Sequence, residues 1–109
     1  MSGAALAEGF YWYAEKLMWG YEGIEKNPQE ALRVYRQAAD LGFSDAFIRI
    51  GLIYEYGKGA PQSANEAALS YRSAIEAGNF LAFAFMAKLL RVPLTETKPR
   101  VSGGASSWP

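Results

Sequence analysis

Asn27-Pro-Gln-Glu-Ala-Leu-Arg-Val-Tyr-Arg-Gln-Ala-Ala-Asp-Leu-Gly42 returns further along the chain as Ser63-Ala-Asn-Glu-Ala-Ala-Leu-Ser-Tyr-Arg-Ser-Ala-Ile-Glu-Ala-Gly78. Glu30, Ala31, Tyr35, Arg36, Ala38 and Gly42 align with Glu66, Ala67, Tyr71, Arg72, Ala74 and Gly78, each pair 36 residues apart. A period between about 20 and 50 residues marks a solenoid, whose units must stack on their neighbours to bury an apolar face. Each copy reads as a helix. Asn27 and Ser63 are N-caps, and Glu30 and Glu66 complete capping boxes, with Pro28 at the first helical position of the earlier copy. Gly42 and Gly78 end the helices. Ala31, Val34, Tyr35, Ala38 and Leu41 trace one apolar face, as do Ala67, Tyr71, Ala74 and Ala77.

Three further helices lie between and around these two. The first is expected over Ala4 to Trp19, ending at Gly20; the second runs from a Ser44 cap to Tyr56, and the third from Phe80 to Leu90, with Pro93 beyond it. They align on one template: Gly9, Ala46 and Ala82; Phe10, Phe47 and Phe83; Tyr13, Ile50 and Met86; Ala14, Gly51 and Ala87; Leu17, Tyr54 and Leu90. Glycine inside a helix costs about 1 kcal/mol relative to alanine. The small Ala14–Gly51–Ala87 set therefore reads as the place where paired helices cross most closely. Aligning the first helix needs a step of 37, so the loop Tyr21-Glu-Gly-Ile-Glu-Lys26 carries one extra residue.

The expected fold is all-α: five helices forming about two and a half repeats of an α/α solenoid, followed by an irregular C-terminal tail. The domain spans residues 1–92. Residues 93–109, which include Pro99 and the run Ser102-Gly-Gly-Ala-Ser-Ser107, have linker composition.

Composition narrows function. Eleven basic and eleven acidic residues cancel in 109, so the positive excess used against nucleic acid or anionic membranes is missing. There is no cysteine and no histidine, which removes disulfides, thiolate chemistry and the commonest metal ligand and general base. Catalytic residues, metal ligands and cofactors are expected to be none. Glu15 with Lys16, or Glu55 with Tyr54, cannot act as an acid–base pair, because adjacent helical residues diverge by about 100°. Gly57-Lys-Gly59 has neither the spacing nor the strand of a phosphate loop. The N-terminus lacks a basic segment ahead of its apolar run, and no run reaches the ~18 residues of a membrane helix. A cytoplasmic location is expected.

The string Ile50-Gly-Leu-Ile-Tyr-Glu-Tyr-Gly-Lys-Gly59, followed by Asn65-Glu-Ala-Ala68 and Tyr71-Arg-Ser-Ala-Ile-Glu-Ala-Gly78, resembles the Sel1-like repeat. That pattern places leucine-glycine and tyrosine before a glycine-x-glycine loop, then a second helix ending in glycine. Phe47 to Gly78 fits it well; Phe10 to Gly42 departs where Tyr21-Glu-Gly23 blurs the loop. The resemblance covers about the first ninety residues. It implies a right-handed α/α superhelix, similar to tetratricopeptide repeats, whose first helices line a concave face. Members act as adaptors and scaffolds, many of them bacterial, and their repeats carry no catalysis.

A protein partner, a peptide or a helix, is therefore expected on that face, bound by an adaptor or a small regulator. The template turns Tyr11, Glu15, Met18 and Trp19 of the first helix toward it, then Ile48, Leu52, Glu55 and Tyr56, then Ala84, Lys88 and Arg91. Phe10 and Tyr13 are assigned to the core, with Trp12 pointing outward. Arg36, Arg72, Glu30 and Glu66 read as repeated structural charges. The last helix is apolar on nearly every side and has no second helix to cover it. Leu81, Phe85 and Leu89 are its expected open face, to be covered by Leu94, Val101 or Trp108 of the tail or by another chain. A homodimer through that end is the alternative reading.

Overall fold

The computed structural model describes residues 3–91. It contains α1 (Gly3–Trp19), α2 (Pro28–Asp40), α3 (Ser44–Tyr56), α4 (Ala64–Glu76) and α5 (Ala82–Leu90), with no strand among the described residues. Helix α1 packs on α2 and α3 on α4; α2 joins α3, and α4 joins α5. Among the described residues this is an α/α solenoid of two helix pairs and a fifth helix packed on the second pair. Residues 93–109, assigned to the tail, lie outside the described residues, as do Leu94, Val101 and Trp108.

The helices begin where their caps dictate. Asn27 Oδ1 accepts the Glu30 N–H at 3.2 Å, and Ser63 Oγ accepts the Glu66 N–H at 3.2 Å. The Glu30 carboxylate pairs forward with Arg33 instead of turning back to the cap, so the box at α2 is half made. Gly42 and Gly78 leave their helices at φ 97° and 91°, a region that costs other residues free energy. Two helix starts differ from the sequence reading. Phe43 is the N-cap of α3, and Ser44 accepts the Asn79 side chain at 3.2 Å. Phe80 and Leu81 form a turn closed by i→i+3 bonds before α5 begins.

Backbone bonds set the register. Asn27 N–H donates to the Leu17 carbonyl at 2.6 Å, and Ser63 N–H to the Tyr54 carbonyl at 2.9 Å. The donors are 36 apart and the acceptors 37, so the extra residue lies in the α1–α2 loop. Tyr21 and Ile24 exchange bonds at 3.0 and 2.9 Å there, with Glu22 and Gly23 both at positive φ. That is the geometry of a type I′ turn, which absorbs one residue without moving either helix.

Two apolar clusters form the core. The first joins α1, α2 and α3 around Tyr11, Ala14, Val34, Tyr35 and Ile50; the second joins α3, α4 and α5 around Ile48, Ala67, Tyr71, Ala74 and Ala82. Alanines at 0% exposure let the helices approach, and the two tyrosine rings fill the space between them. The crossing is tightest at Gly51. A β-carbon there would overlap the Tyr71 ring. The equivalent Ala14 is buried at 0% exposure in the first cluster with Tyr35. Leu41, Ala77 and Tyr13, all assigned to buried faces, are exposed instead. Leu41 and Ala77 are the C-cap residues of α2 and α4, past the last full turn of the packed face. Phe10 is partly buried against the first cluster.

Candidate functional site

Helices α1 and α3 frame a cavity of about 480 Å3. Its floor is Tyr35 and Ile53, the residues of the core exposed by 1% and 2%. Met18 and Trp19 contribute from α1, and Arg49, Leu52 and Tyr56 from α3, with Lys58 from the following loop. Arg49, Leu52, Ile53 and Tyr56 follow the i, i+3, i+4, i+7 spacing of one helix face. A second cavity of about 660 Å3 shares Tyr56 and is lined by Glu55, Gln62, Lys88, Leu89 and Arg91. The two cavities adjoin at Tyr56, and each is lined in part by α3.

Polar side chains around the two cavities are held in place. Tyr35 donates its hydroxyl to Glu15 at 2.6 Å, and Tyr71 donates to Glu55 at 2.6 Å. Burial, then the adjacent carboxylate, push both phenols well above the ordinary tyrosine range. Arg49 Nε meets Glu15 at 2.8 Å and donates to Tyr11 Oη at 3.0 Å. Burial raises Tyr11 too, with Arg49 opposing the shift. All three phenols are therefore protonated at neutral pH. Lys88 Nζ donates to Tyr56 Oη at 3.2 Å, 6.0 Å from the ring centre, and its pKa is raised by that bond. Among the described residues, no group of three or more Asp and Glu is placed to hold a metal ion.

The expected partner-facing residues divide. Trp19, Leu52 and Tyr56 come together in the first cavity, and Glu55, Lys88 and Arg91 with Tyr56 in the second. Trp19 and Tyr56 are 58% and 53% exposed. Glu15 is committed to Tyr35 and Arg49, with its side chain 16% exposed. Tyr11 and Ile48 are corrections, each only 6% exposed. Their turn of the first helices is closed by the paired helix together with the next repeat: Tyr11 packs on Tyr35 of α2 and on Phe43 ahead of α3, and Ile48 lies in the second core cluster with residues of α4 and α5.

The open end is corrected as well. Phe85 stacks on Tyr71, with ring centres 5.7 Å apart, and Leu89 packs against the second cluster, because that face of α5 meets the preceding repeat. Leu81 is 62% exposed, in the turn before α5. Among the described residues, the exposed stripe of α5 itself runs through Phe83 and Leu90 with the half-buried Ala87 between them, the template equivalents of Phe47, Tyr54 and Gly51. In α3 that face carries α4.

Sequence reasoning missed Arg49 and Lys58. The spacing of Arg49 from Leu52 and Tyr56 was the available signal. Lys58 lies in the loop Gly57-Lys-Gly59, whose sequence carries no sign of a cavity beside it. Repeated charges also diverge in role: Arg36 caps the Tyr54 ring and hydroxyl, whereas Arg72 pairs with Glu76 at 3.4 Å. Trp12 points outward, 54% exposed.

Two helix pairs in one register define an all-α solenoid of helix-pair repeats. Among solved structures, the crystal structure of a Sel1 repeat protein from Oxalobacter formigenes matches with a TM-score of 0.71 and 30% identity over 83% of this chain. This chain spans 38% of that protein's length. No family model matches the sequence, and no curated protein does. The chain is an all-α protein built of Sel1-like repeats, a fold that suggests a protein-interaction module. None of the described helices is long and apolar enough to cross a membrane.

Proposed function

We propose that this chain is a non-enzymatic interaction module, an adaptor or small regulator, which holds a segment of a partner protein in the groove between α1 and α3. One observation carries the reading. The groove is apolar at its centre, where Trp19, Leu52 and Tyr56 converge over a floor of core residues. Large aromatic side chains left half exposed beside a rigid concavity are the usual anchors of protein interfaces. We place the module in the cytoplasm, in keeping with its composition. The test is selection from a displayed peptide library on the intact protein, followed by affinity measurement on Trp19→Ala and Tyr56→Ala. Peptides that bind wild type and lose affinity in both variants support the groove; peptides indifferent to both place the site elsewhere.

The exposed stripe of α5 supports a second reading, self-association through the open end. Phe83 and Leu90 are 53% and 59% exposed, on the face where α3 is covered by a helix. Exposed apolar rows of that kind mark interfaces. Light scattering across concentration separates this reading from a monomer of 12.0 kDa.

A further inference from the structure

The groove carries an excess of positive charge although the chain is neutral. The charged residues lining the first cavity, Arg49 and Lys58, are both cations. The adjoining cavity adds Lys88 and Arg91 against one carboxylate, Glu55. The other acid that reaches these cavities is Glu15, through its pair with Arg49. Four cations thus face two carboxylates, and both carboxylates already accept a tyrosine hydroxyl. Among the described residues Lys58 and Arg91 have no ion pair, and Lys88 donates to the Tyr56 phenol and feels the Glu55 carboxylate without closing a salt bridge to it. Acidic residues such as Glu22, Glu25, Asp40 and Glu76 line neither cavity.

Such a groove, apolar at the centre and cationic along its rim, is complementary to one kind of segment. Resting on the interaction reading above, we infer that the groove takes an acidic peptide segment. One large apolar side chain of the segment seats against Trp19, Leu52 and Tyr56, and flanking carboxylates meet Arg49 and Lys58 on one side, Lys88 and Arg91 on the other. Arg49 is already oriented by Glu15 and Tyr11, so it presents a fixed donor. Lys58 follows Gly57, whose left-handed backbone at φ 69° ends α3 and turns the loop over the cavity mouth. An anionic surface without an apolar anchor would use the rim and leave the centre empty.

The experiment uses labelled synthetic peptides of about ten residues with a central Trp-Leu pair, flanked by Glu, by Ser or by Lys. Phosphatidylserine vesicles and a single-stranded oligonucleotide serve as other anions. The Glu-flanked peptide is expected to bind about tenfold tighter than the Ser-flanked one and to weaken as salt rises, with the Lys-flanked peptide last. A Lys58→Glu, Lys88→Glu double variant, altered only at exposed side chains, should reverse the order of the Glu and Lys peptides. If the Ser-flanked peptide binds as well as the Glu-flanked one while remaining sensitive to Trp19→Ala and Tyr56→Ala, the acidic preference is wrong and the groove reading survives. If no peptide depends on Trp19 and Tyr56, both fail together. Tighter binding of the vesicles or oligonucleotide than of the Glu-flanked peptide also overturns the inference.

Discussion

Tyr35 and Tyr71 stand one period apart and each donates to a glutamate at 2.6 Å, yet Glu15 and Glu55 are not equivalent in the repeat. In the register of the first helices Glu15 corresponds to Leu52, and Glu55 to Met18. The same buried phenol is thus satisfied from neighbouring turns of the facing helix. The exchange leaves Met18 and Leu52 as the apolar residues at the two vacated positions, and both line the groove. A buried hydroxyl needs a partner, but either turn of the helix can supply it.

Replacing Gly51 by leucine should destabilise the protein by about 1–3 kcal/mol or more, because Tyr71 occupies the space of even a β-carbon. For a domain of this size each kcal/mol lowers the melting temperature by roughly 4–8 °C. Calorimetry of the variant checks it. A melting point within a couple of degrees of wild type would mean that the second helix pair is spaced more widely than described.

Two loop glycines should respond differently to alanine. A β-carbon at Gly59, already at φ 104°, would lie 2.7 Å from the Pro28 carbonyl oxygen, where the second repeat's loop rests on the start of α2. At Gly23, at φ 86°, it meets nothing within 4 Å. Gly23→Ala therefore costs about 1–2 kcal/mol of backbone strain alone, and Gly59→Ala that plus the clash. Denaturant titration of the pair should rank Gly59→Ala as the less stable variant.

Stability should fall at alkaline pH. The folded-state pKa values of Tyr35 and Tyr71 are raised above the unfolded value of 10.0. Below that value both states hold the proton, and the contribution is fully present. Above it the unfolded chain releases protons that the folded chain keeps, so stability drops by up to about 1.4 kcal/mol per pH unit for each tyrosine. Urea unfolding between pH 8 and 11 measures the slope. A Tyr35→Phe, Tyr71→Phe variant should show a shallower one.

Trp19→Ala and Tyr56→Ala should each weaken a groove-bound peptide by about 1–4 kcal/mol. Both side chains are more than half exposed, so helical content should be unchanged by circular dichroism. Affinity that survives both substitutions removes the groove as the docking face.

Phe83→Ser with Leu90→Ser should convert any dimer to a monomer with little loss of stability, since both residues are over half exposed. Phe85→Ser, which removes the ring stacked on Tyr71, should instead lower the melting temperature. Sedimentation velocity and calorimetry together distinguish the two faces of α5.

The sequence alone determined that this is a repeat of helices and where most of them begin and end. Caps, terminal glycines and a period of 36 are local signals, and local hydrogen bonding realises them without help from distant residues. It also indicated that Ala14 and Gly51 mark close crossings, since a small residue in mid-helix needs a packing reason. Only the tertiary structure decided which outward positions remain outward. Tyr11 and Ile48 share a helical face with Glu15 and Leu52, but the paired helix and the next repeat cover that end of the face and leave the other end open. Tertiary packing likewise chose Phe83 and Leu90 over Phe85 and Leu89 as the exposed stripe of α5. A helix apolar on all sides does not record which neighbour it will meet, because the hydrophobic effect has no direction until the chains are packed.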